Sequence, residues 1–152
     1  MLAIASDHAG YELKSEIIRH LERKGIPYED FGTNDCSTSV DYNDYGLMVA
    51  EAVSKGTHEY GIIICGTGIG ISIMANKVPG VRAALCTNCY MAKMSREHNN
   101  ANVLALGGRV IGPGLAAEIV DAWLGASFAG GRHQRRVDKF AEAEKKYMAR
   151  NT

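Results

Sequence analysis

Cys65 stands where an apolar run of three isoleucines meets a glycine-rich turn. Residues 66–70 of this turn read GTGIG, with glycine at every second position. Glycines let the backbone approach a ligand closely, and bare N–H groups beside a helix N-terminus attract negative charge. A thiol that could act as base or nucleophile would therefore share one pocket with an anion. The alternative is a tight structural turn in which Cys65 is only a small buried side chain.

The turn does not match the common nucleotide-binding patterns. Dinucleotide sites use G-x-G-x-x-G in the first strand-to-helix turn, with a carboxylate about 20 residues further on. Here the pattern is G-x-G-x-G in mid-chain, and no Asp or Glu occurs between Gly61 and Arg96. The P-loop pattern G-x-x-x-x-G-K-[ST] does not occur in the sequence. The anion must therefore be sought among other phosphates or oxyanions.

Composition predicts one globular domain over residues 1–152. The chain has 17 acidic and 17 basic residues, so its net charge provides no general attraction to nucleic acid or to an anionic membrane. The first thirty residues carry several charges, and no apolar run is long enough to span a bilayer. We therefore expect a cytoplasmic protein.

Four cysteines are too few and too irregularly spaced for a disulfide scaffold. Cys86 and Cys89 form one C-x-x-C pair, which leaves a redox pair or half of a zinc site open. No second pair of ligands has the spacing that zinc requires. Buried thiols at a strand end and helix start are the favoured interpretation, and no metal is expected.

Hydrophobic periodicity predicts alternating strands and helices. The strands are predicted at 2–5, 28–31, 60–64, 81–85 and 103–106, and the helices at 11–24, 45–54, 71–77, 90–99 and 114–124. Residues 32–44 are predicted to form a polar loop. This alternation predicts an α/β, Rossmann-like three-layer sandwich with a five-stranded parallel sheet.

Polar residues follow three of these strands directly. Asp7 and His8 follow the first strand, the GTGIG turn follows the third, and Arg109 follows the fifth. Ligands in open parallel sheets bind beyond the carboxyl ends of the strands, so these residues are expected to line one edge. The alternative for Asp7 is a structural role as the N-cap of the first helix.

Seven short motifs run through the chain from the first strand to the tail. They are SDHAG at 6–10, DYNDY at 41–45, CGTGIG at 65–70, ANK at 75–77, HNNANVL at 98–104, GGR at 107–109 and GRHQRR at 131–136. Their order and spacing together resemble the B-type ribose-5-phosphate isomerases. That group belongs to a wider family that includes galactose-6-phosphate isomerase subunits.

The resemblance implies interconversion of ribose 5-phosphate and ribulose 5-phosphate through ring opening and a cis-enediolate, with no cofactor. It implies that Cys65 is the base, as a thiolate favoured by a helix N-terminus and nearby cations. The family's other branch has a glutamate where this chain has Ile71. Thr67 and His98 are implied in ring opening, although a surface role for His98 stays open. The implied oxyanion loop for the enediolate comprises Gly66, Gly68, Ile69 and Gly70.

The resemblance also implies the ligands of the substrate. The phosphate-binding residues are His8, Arg109, Arg132 and Arg136. The residues for sugar hydroxyls are Asp7, Tyr42 and Asn99. Asn43, beside Tyr42, stands where relatives usually have proline. The basic run at 132–136 would otherwise suggest RNA, but the neutral net charge and the lack of interleaved aromatic residues argue against nucleic acid.

The tail carries apolar residues at helical spacing among charged ones. These are Val137, Phe140, Ala141, Tyr147 and Met148. The resemblance implies that this segment, about 131–152, packs on the partner in a homodimer and that residues near His98 and Arg132 complete the neighbour's site. A tetramer, activity on allose 6-phosphate, a galactose-6-phosphate isomerase subunit and a non-catalytic phosphosugar-binding module stay open as alternatives.

Overall fold

The computed structural model describes residues 1–148. Its strands are β1 (Leu2–Ser6), β2 (Tyr28–Asp30), β3 (Tyr60–Cys65), β4 (Ala83–Leu85) and β5 (Val103–Gly107). Its helices are α1 (Tyr11–Arg23), α2 (Tyr42–Ser54), α3 (Ile69–Ala75), α4 (Cys89–Glu97), α5 (Pro113–Gly125) and α6 (Arg132–Tyr147). The last residues of the predicted tail segment, 149–152, lie outside the described residues. No helix within 1–148 has the length and apolar character needed to span a membrane.

All five strands form one parallel sheet, in the order β2-β1-β3-β5-β4. The prediction of an α/β fold with a five-stranded parallel sheet is therefore confirmed. β1 and β5 are buried along their whole length, as is β3 beyond its first residue, because helices cover both faces. All carboxyl ends lie at one edge of the sheet.

Residues alternate between the two faces along β3. Ile62 and Ile64 pack in the core with helices α1, α4 and α5, whereas Ile63 and Cys65 pack in the core with α2 and α3. Trp123 of α5 is the largest fully buried side chain and belongs to the first core. The Cys65 side chain is therefore directed to the layer formed by α2 and α3.

Two helix starts differ from the prediction by more than one residue, whereas α4 and α5 each begin one residue early. α2 begins at Tyr42, not at 45, because Asp41 is the extended cap residue and its carbonyl accepts the N–H of Asp44 at 3.2 Å. α3 begins at Ile69, not at 71, because the glycine turn is completed by Gly68, which has φ +81°. Consequently, Tyr42 and Ile69 lie in helical first turns instead of in loops.

Helix α6 is amphipathic, as predicted, and much of its apolar face is exposed. Phe140 is 44% and Tyr147 60% exposed, and Met148, just beyond the helix, is 38% exposed. The helix meets its own chain at Gly80, whose N–H donates to Glu144 Oε1 over 3.0 Å. Much of this apolar face is therefore not covered by residues 1–148.

Candidate active site

The Cys65 thiol lies at the carboxyl end of β3 and is only 5% exposed. Its Sγ accepts the backbone N–H of Gly68 over 3.1 Å. Gly68 adopts φ +81°, and a methyl group built there would lie 2.5 Å from Leu85 Cδ1. Only glycine fits this position without strain, so the turn holds a donor against the sulfur.

The end of β5 is bound to the same turn by two backbone hydrogen bonds. Gly108 N–H donates to the Cys65 carbonyl over 2.8 Å, and Arg109 N–H donates to the Gly66 carbonyl over 2.9 Å. A methyl group built on Gly66 would lie 3.5 Å from Arg109 Nη1 and 3.7 Å from Ala9 Cβ. The guanidinium therefore lies beside the glycine turn, opposite the segment that follows β1.

Asp7 joins this edge from the end of β1. It is 5% exposed, and its N–H donates to the Ile64 carbonyl over 3.2 Å. Its Oδ1 accepts the N–H of Gly10 over 2.9 Å, although the helix cap itself is Gly10. The N-cap alternative for Asp7 is therefore wrong in detail. Its second carboxylate oxygen, Oδ2, is available to a ligand hydroxyl.

His8 is half-buried, and its Nδ1 accepts the backbone N–H of Val40 over 3.1 Å. An N–H donor requires an unprotonated Nδ1, so the neutral ring carries its proton on Nε2. His8 therefore presents a donor at Nε2, which suits an anionic oxygen. The contribution of Val40 was not foreseen, because a backbone donor leaves no signature in the sequence.

The hydroxyphenyl ring of Tyr42 covers the start of α3. A methyl group built on Gly70 would lie 2.6 Å from Tyr42 Cζ, so glycine at this position makes room for the ring. The next residue, Ile71, is fully buried in the same core as Cys65 and packs against Gly46 of α2. No carboxylate is supplied from that position.

Two further residues at the glycine turn, Thr67 and Ile69, are exposed. The Thr67 hydroxyl accepts the N–H of Ile69 over 3.2 Å. Ile69 is 52% exposed and shows its side chain to solvent at the rim of the glycine turn. Thr67 Oγ1 is therefore oriented by the backbone of the turn.

His98 and Asn99 lie at the opposite edge of the sheet from Cys65. α4 starts beyond the carboxyl end of β4 and returns across the sheet, so its C-cap residue, His98, reaches the amino edge. Soon afterwards the Asn102 carbonyl accepts the N–H of Gly61 near the start of β3, over 3.0 Å. At about 3.3 Å per residue, β3 from Gly61 to Cys65 spans ~13 Å. One chain does not bring these two groups of residues together.

Arg132 and Arg136 accompany His98 at that distant edge. The His98 ring stacks on the ring of His133, with centroids 4.2 Å apart and 14° between planes. Burial lowers the pKa of His133, and the nearby His98, Arg132 and Arg136 lower it further. The lowered pKa disfavours the imidazolium form of His133 beside the two arginines at the start of α6.

The C-x-x-C pair carries free thiols. Cys86 is buried, and burial raises the pKa of its thiol to about 11. Such a thiol is a poor nucleophile near neutral pH. Cys89 is half-buried. Within residues 1–148, no group of three or more His, Cys, Asp or Glu side chains is arranged to hold a metal ion.

Lys14 is a second unforeseen contributor to the site's framework. It is 1% exposed, and its Nζ donates to Asp30 Oδ1 over 2.7 Å and to the Thr33 carbonyl over 2.6 Å. Thr33 in turn donates its N–H to the Ser6 carbonyl over 2.8 Å. A sequence signal existed, because Lys14 precedes Ile17 by three positions on the apolar face of α1.

Comparison with known proteins assigns the chain to a family. The family model described as Ribose/Galactose Isomerase matches residues 2–140. Ribose-5-phosphate isomerase B of Escherichia coli is 50% identical over 145 residues, covering 95% of this chain and 97% of that protein.

Solved structures agree with this match. Ribose-5-phosphate isomerase B of Clostridium thermocellum has a TM-score of 0.94 at 62% identity, covering 96% of this chain and 98% of that one. The Mycoplasma genitalium enzyme, solved with bound ribulose 5-phosphate, has a TM-score of 0.91 at 45% identity, covering 95% and 96% of the two chains. The chain therefore belongs to the ribose/galactose isomerase family of enzymes.

Proposed function

We propose that this protein interconverts D-ribose 5-phosphate and D-ribulose 5-phosphate, with Cys65 as the base. The observation that carries the proposal is the buried Cys65 sulfur, which accepts a glycine N–H at the edge where Asp7, His8 and Arg109 meet. The similar proteins from Escherichia coli and Mycoplasma genitalium are named for this activity. Their similarity extends over nearly the whole chain.

The isomerisation moves one proton between neighbouring carbons. The Cys65 thiolate removes the proton from C2 of the open-chain aldose, and the electrons of that bond form the enediolate with its charge on O1. The Cys65 thiol, whose proton can exchange with solvent, then delivers a proton to C1, the hydroxyl hydrogen of O2 passes to O1, and C2 becomes the carbonyl. The Gly68 N–H donor at the sulfur and the Arg109 guanidinium beside the glycine turn suit this transfer, because both offer positive charge to a pocket in which negative charge develops.

The enediolate charge calls for N–H donors in the glycine turn. Gly68 N–H donates to Cys65 Sγ, and Ile69 N–H donates to Thr67 Oγ1. Of the four residues of the predicted oxyanion loop, Gly66 and Gly70 are therefore the primary donors that we propose. Gly68 acts through its hydrogen bond to the Cys65 sulfur, and Ile69 acts through its hydrogen bond to the Thr67 hydroxyl. Removal of one such donor typically costs about 3 to 4 kcal/mol of transition-state stabilisation.

Substrate hydroxyls and phosphate are assigned to the groups around the turn. Asp7 offers Oδ2 as an acceptor for a hydroxyl, and the Tyr42 hydroxyl lies above Gly70. His8, through Nε2, and Arg109 supply donors for phosphate from the same chain. The proposal places the reacting carbons of the sugar at Cys65 and its phosphate at His8 and Arg109.

We propose that the remaining groups come from another copy of the chain. His98, Asn99, Arg132 and Arg136 lie at the far edge of the sheet, so a site containing Cys65 cannot receive them from its own chain. We propose a homodimer in which they enter the neighbour's site, with α6 covering the partner. The exposed apolar residues of α6 support such a contact, as does the position of β4 at the edge of the sheet, where it is only half-buried.

In that arrangement His98 opens the sugar ring. It takes the proton of the anomeric hydroxyl, which becomes the aldehyde oxygen, and delivers a proton to the ring oxygen as the C1–O4 bond breaks, so that the imidazole ends in its starting state. Thr67 is positioned to assist from the glycine turn. Arg132 and Arg136 add two guanidinium groups to the phosphate site. Each complete site would thus hold residues of two subunits.

The test is turnover of purified protein on three phosphosugars in the presence of EDTA. Ribose 5-phosphate, allose 6-phosphate and galactose 6-phosphate are compared by the rate of ketose formation. We expect ribose 5-phosphate to be the best substrate and EDTA to have no effect. Preference for galactose 6-phosphate would favour a galactose-6-phosphate isomerase subunit, and binding without turnover would favour a non-catalytic module.

A further inference from the structure

Arg96, near the end of α4, is a buried cation without a carboxylate partner among residues 1–148. Its side chain is 6% exposed, and its Nε has no hydrogen-bond partner. The guanidinium carbon instead lies 4.4 Å from the ring centroid of Tyr60 and 5.1 Å from that of Trp123. Burial of an unpaired charge is costly, and the two aromatic faces offset this cost only in part. General stabilisation is a weak explanation for an arginine at this position.

The hydrogen bonds of Arg96 are directed at one short turn. Nη1 donates to the carbonyl of Ala101, and Nη2 donates to the Tyr60 hydroxyl over 2.8 Å. Ala101 also donates its N–H to the Ser95 carbonyl over 2.9 Å. The guanidinium therefore ties the chain that leaves α4 to β3 and to the last turn of the helix.

The turn between Arg96 and Ala101 has a specific geometry. Asn100 has φ +48°, the left-handed conformation in which helices commonly end, and donates its N–H to the Arg96 carbonyl over 3.2 Å. Its own carbonyl accepts Nε of a second arginine, Arg82, over 2.7 Å. Guanidinium groups thus hold two successive carbonyls, one from each side of the turn.

His98 and Asn99 lie within this turn, between Arg96 and Asn100. The His98 N–H donates to the Met94 carbonyl over 2.8 Å, and its ring stacks on His133. Backbone and ring of His98 are therefore both constrained, although neither constraint alone fixes where the turn lies on the sheet. The contacts of Arg96 with Tyr60 and Ala101 supply that link.

We infer that Arg96 is a positioning residue for ring opening: by holding the Ala101 carbonyl against β3 it places the His98 imidazole for the neighbouring subunit's sugar. This inference rests on the proposed function, because it requires His98 to act on the ring oxygen. Misplacement of a proton donor by about 1 Å can cost ~100-fold in rate. Arg96 itself does not touch the substrate.

The test separates ring opening from proton transfer. Ribulose 5-phosphate is open-chain, because its C5 oxygen carries the phosphate, so exchange of its C1 hydrogen in D₂O requires the base but no ring step. We measure this exchange by NMR, together with turnover of ribose 5-phosphate, in the Arg96→Lys variant. The lysine keeps the charge but cannot serve both acceptors.

We expect Arg96→Lys to lower ribose 5-phosphate turnover at least tenfold, while C1 exchange stays within about twofold of wild type. The milder Tyr60→Phe variant removes only the hydroxyl that accepts from Arg96 Nη2. It should lower turnover more than C1 exchange, as Arg96→Lys does, but by a smaller factor. His58→Asn is the matched control, since His58 is 7% exposed and bonds to Glu29 Oε2 over 2.7 Å without touching the turn. That variant should leave both rates unchanged.

Equal losses of both rates in Arg96→Lys and Tyr60→Phe, or no loss in either, would overturn the positioning role. The His98→Asn variant shows whether the positioning role of Arg96 or the ring-opening role of His98 is wrong. If His98→Asn shows the split and the Arg96 and Tyr60 variants do not, only this inference is wrong. If His98→Asn shows no split, the proposed ring-opening role of His98 is wrong, and absence of turnover in wild type refutes the proposed function itself.

Discussion

The backbone N–H of Gly68 donates to Sγ of Cys65 over 3.1 Å, across a turn that closes only because Gly68 adopts φ +81°. This contact places a hydrogen-bond donor and the first turn of α3 at the thiol. A donor to sulfur stabilises the thiolate more than the thiol, since bonds to ionised groups are the stronger ones. The glycine turn thus donates a hydrogen bond to the proposed base, Cys65, and also lines the pocket.

Replacement of Gly68 should therefore damage both stability and catalysis. In Gly68→Ala, the methyl group would lie 2.5 Å from Leu85 Cδ1 and 3.0 Å from the Leu106 carbonyl oxygen, at an unfavourable φ. Gly56→Ala is the matched control, because Gly56 has φ +76° but nothing within 4 Å of the added methyl group. We expect both to lose about 1 kcal/mol of unfolding free energy from backbone strain, with a larger loss for Gly68→Ala.

Urea denaturation and initial rates measure the two effects. Only Gly68→Ala should also lose turnover, because only its turn carries the donor to Cys65. Equal stability and equal turnover of the two variants would contradict the role assigned to this turn.

Arg109→Lys should weaken phosphate binding. Lysine keeps the charge beside Gly66 but loses the planar fork that matches phosphate oxygens, a loss of about 1.4 kcal/mol or tenfold in affinity. We expect KM for ribose 5-phosphate and the inhibition constant for inorganic phosphate to rise together, with a smaller change in kcat. Arg19→Lys is the control, since Arg19 pairs with Glu16 on the surface of α1. An unchanged phosphate inhibition constant in Arg109→Lys would remove Arg109 from the phosphate site.

Sites shared between subunits predict complementation of inactive variants. In a mixed dimer of Cys65→Ala and His98→Asn chains, one site receives both defects and the other receives both native residues. Random pairing makes about half of the dimers mixed, so activity should recover to about a quarter of wild type in a two-fold symmetric dimer. Each variant alone, taken through the same co-refolding, is the control. No recovery, although mass spectrometry shows mixed dimers, would mean that no site combines Cys65 of one chain with His98 of the other.

The buried Cys86 thiol should make the folded protein less stable at alkaline pH. Burial raises the pKa of this thiol from 9.0 to about 11, so between these values the unfolded chain loses a proton that the folded chain keeps. The free energy of unfolding should therefore fall as pH rises from about 9 to 11, by at most about 1.4 kcal/mol per pH unit for this group. Cys86→Ala should be less stable at pH 7 because of the cavity, but should decline less over that interval. An identical slope for both proteins would exclude Cys86 as the cause.

Much of the fold could be predicted from the sequence because its signals are local. Apolar runs such as 62–64 predict buried parallel strands, and Gly25, with φ +67°, ends α1 as expected. The helix starts at Tyr42 and Ile69 were displaced because cap geometry at Asp41 and Gly68 decided them. The spacing of hydrophobic residues contains no information about the backbone geometry of helix caps.

The candidate site was predictable only where residues follow strand ends. Asp7, His8, Cys65 and Arg109 meet at one edge because parallel strands end together there. By contrast, Val40 contributes through its backbone N–H, and Arg96 acts through contacts with β3 and Ala101. Such contacts depend on the packed structure and have no spacing rule.

The most direct test of the central claim is the Cys65→Ala variant, assayed for ribose 5-phosphate turnover and for binding of a non-isomerisable phosphosugar analogue by calorimetry. Loss of a general base typically lowers the rate by roughly 10²–10⁴-fold. We expect turnover to fall by at least this factor while the analogue's affinity stays within about threefold, because His8 and Arg109 remain in place. Undiminished turnover in Cys65→Ala would contradict the assignment of Cys65 as the base.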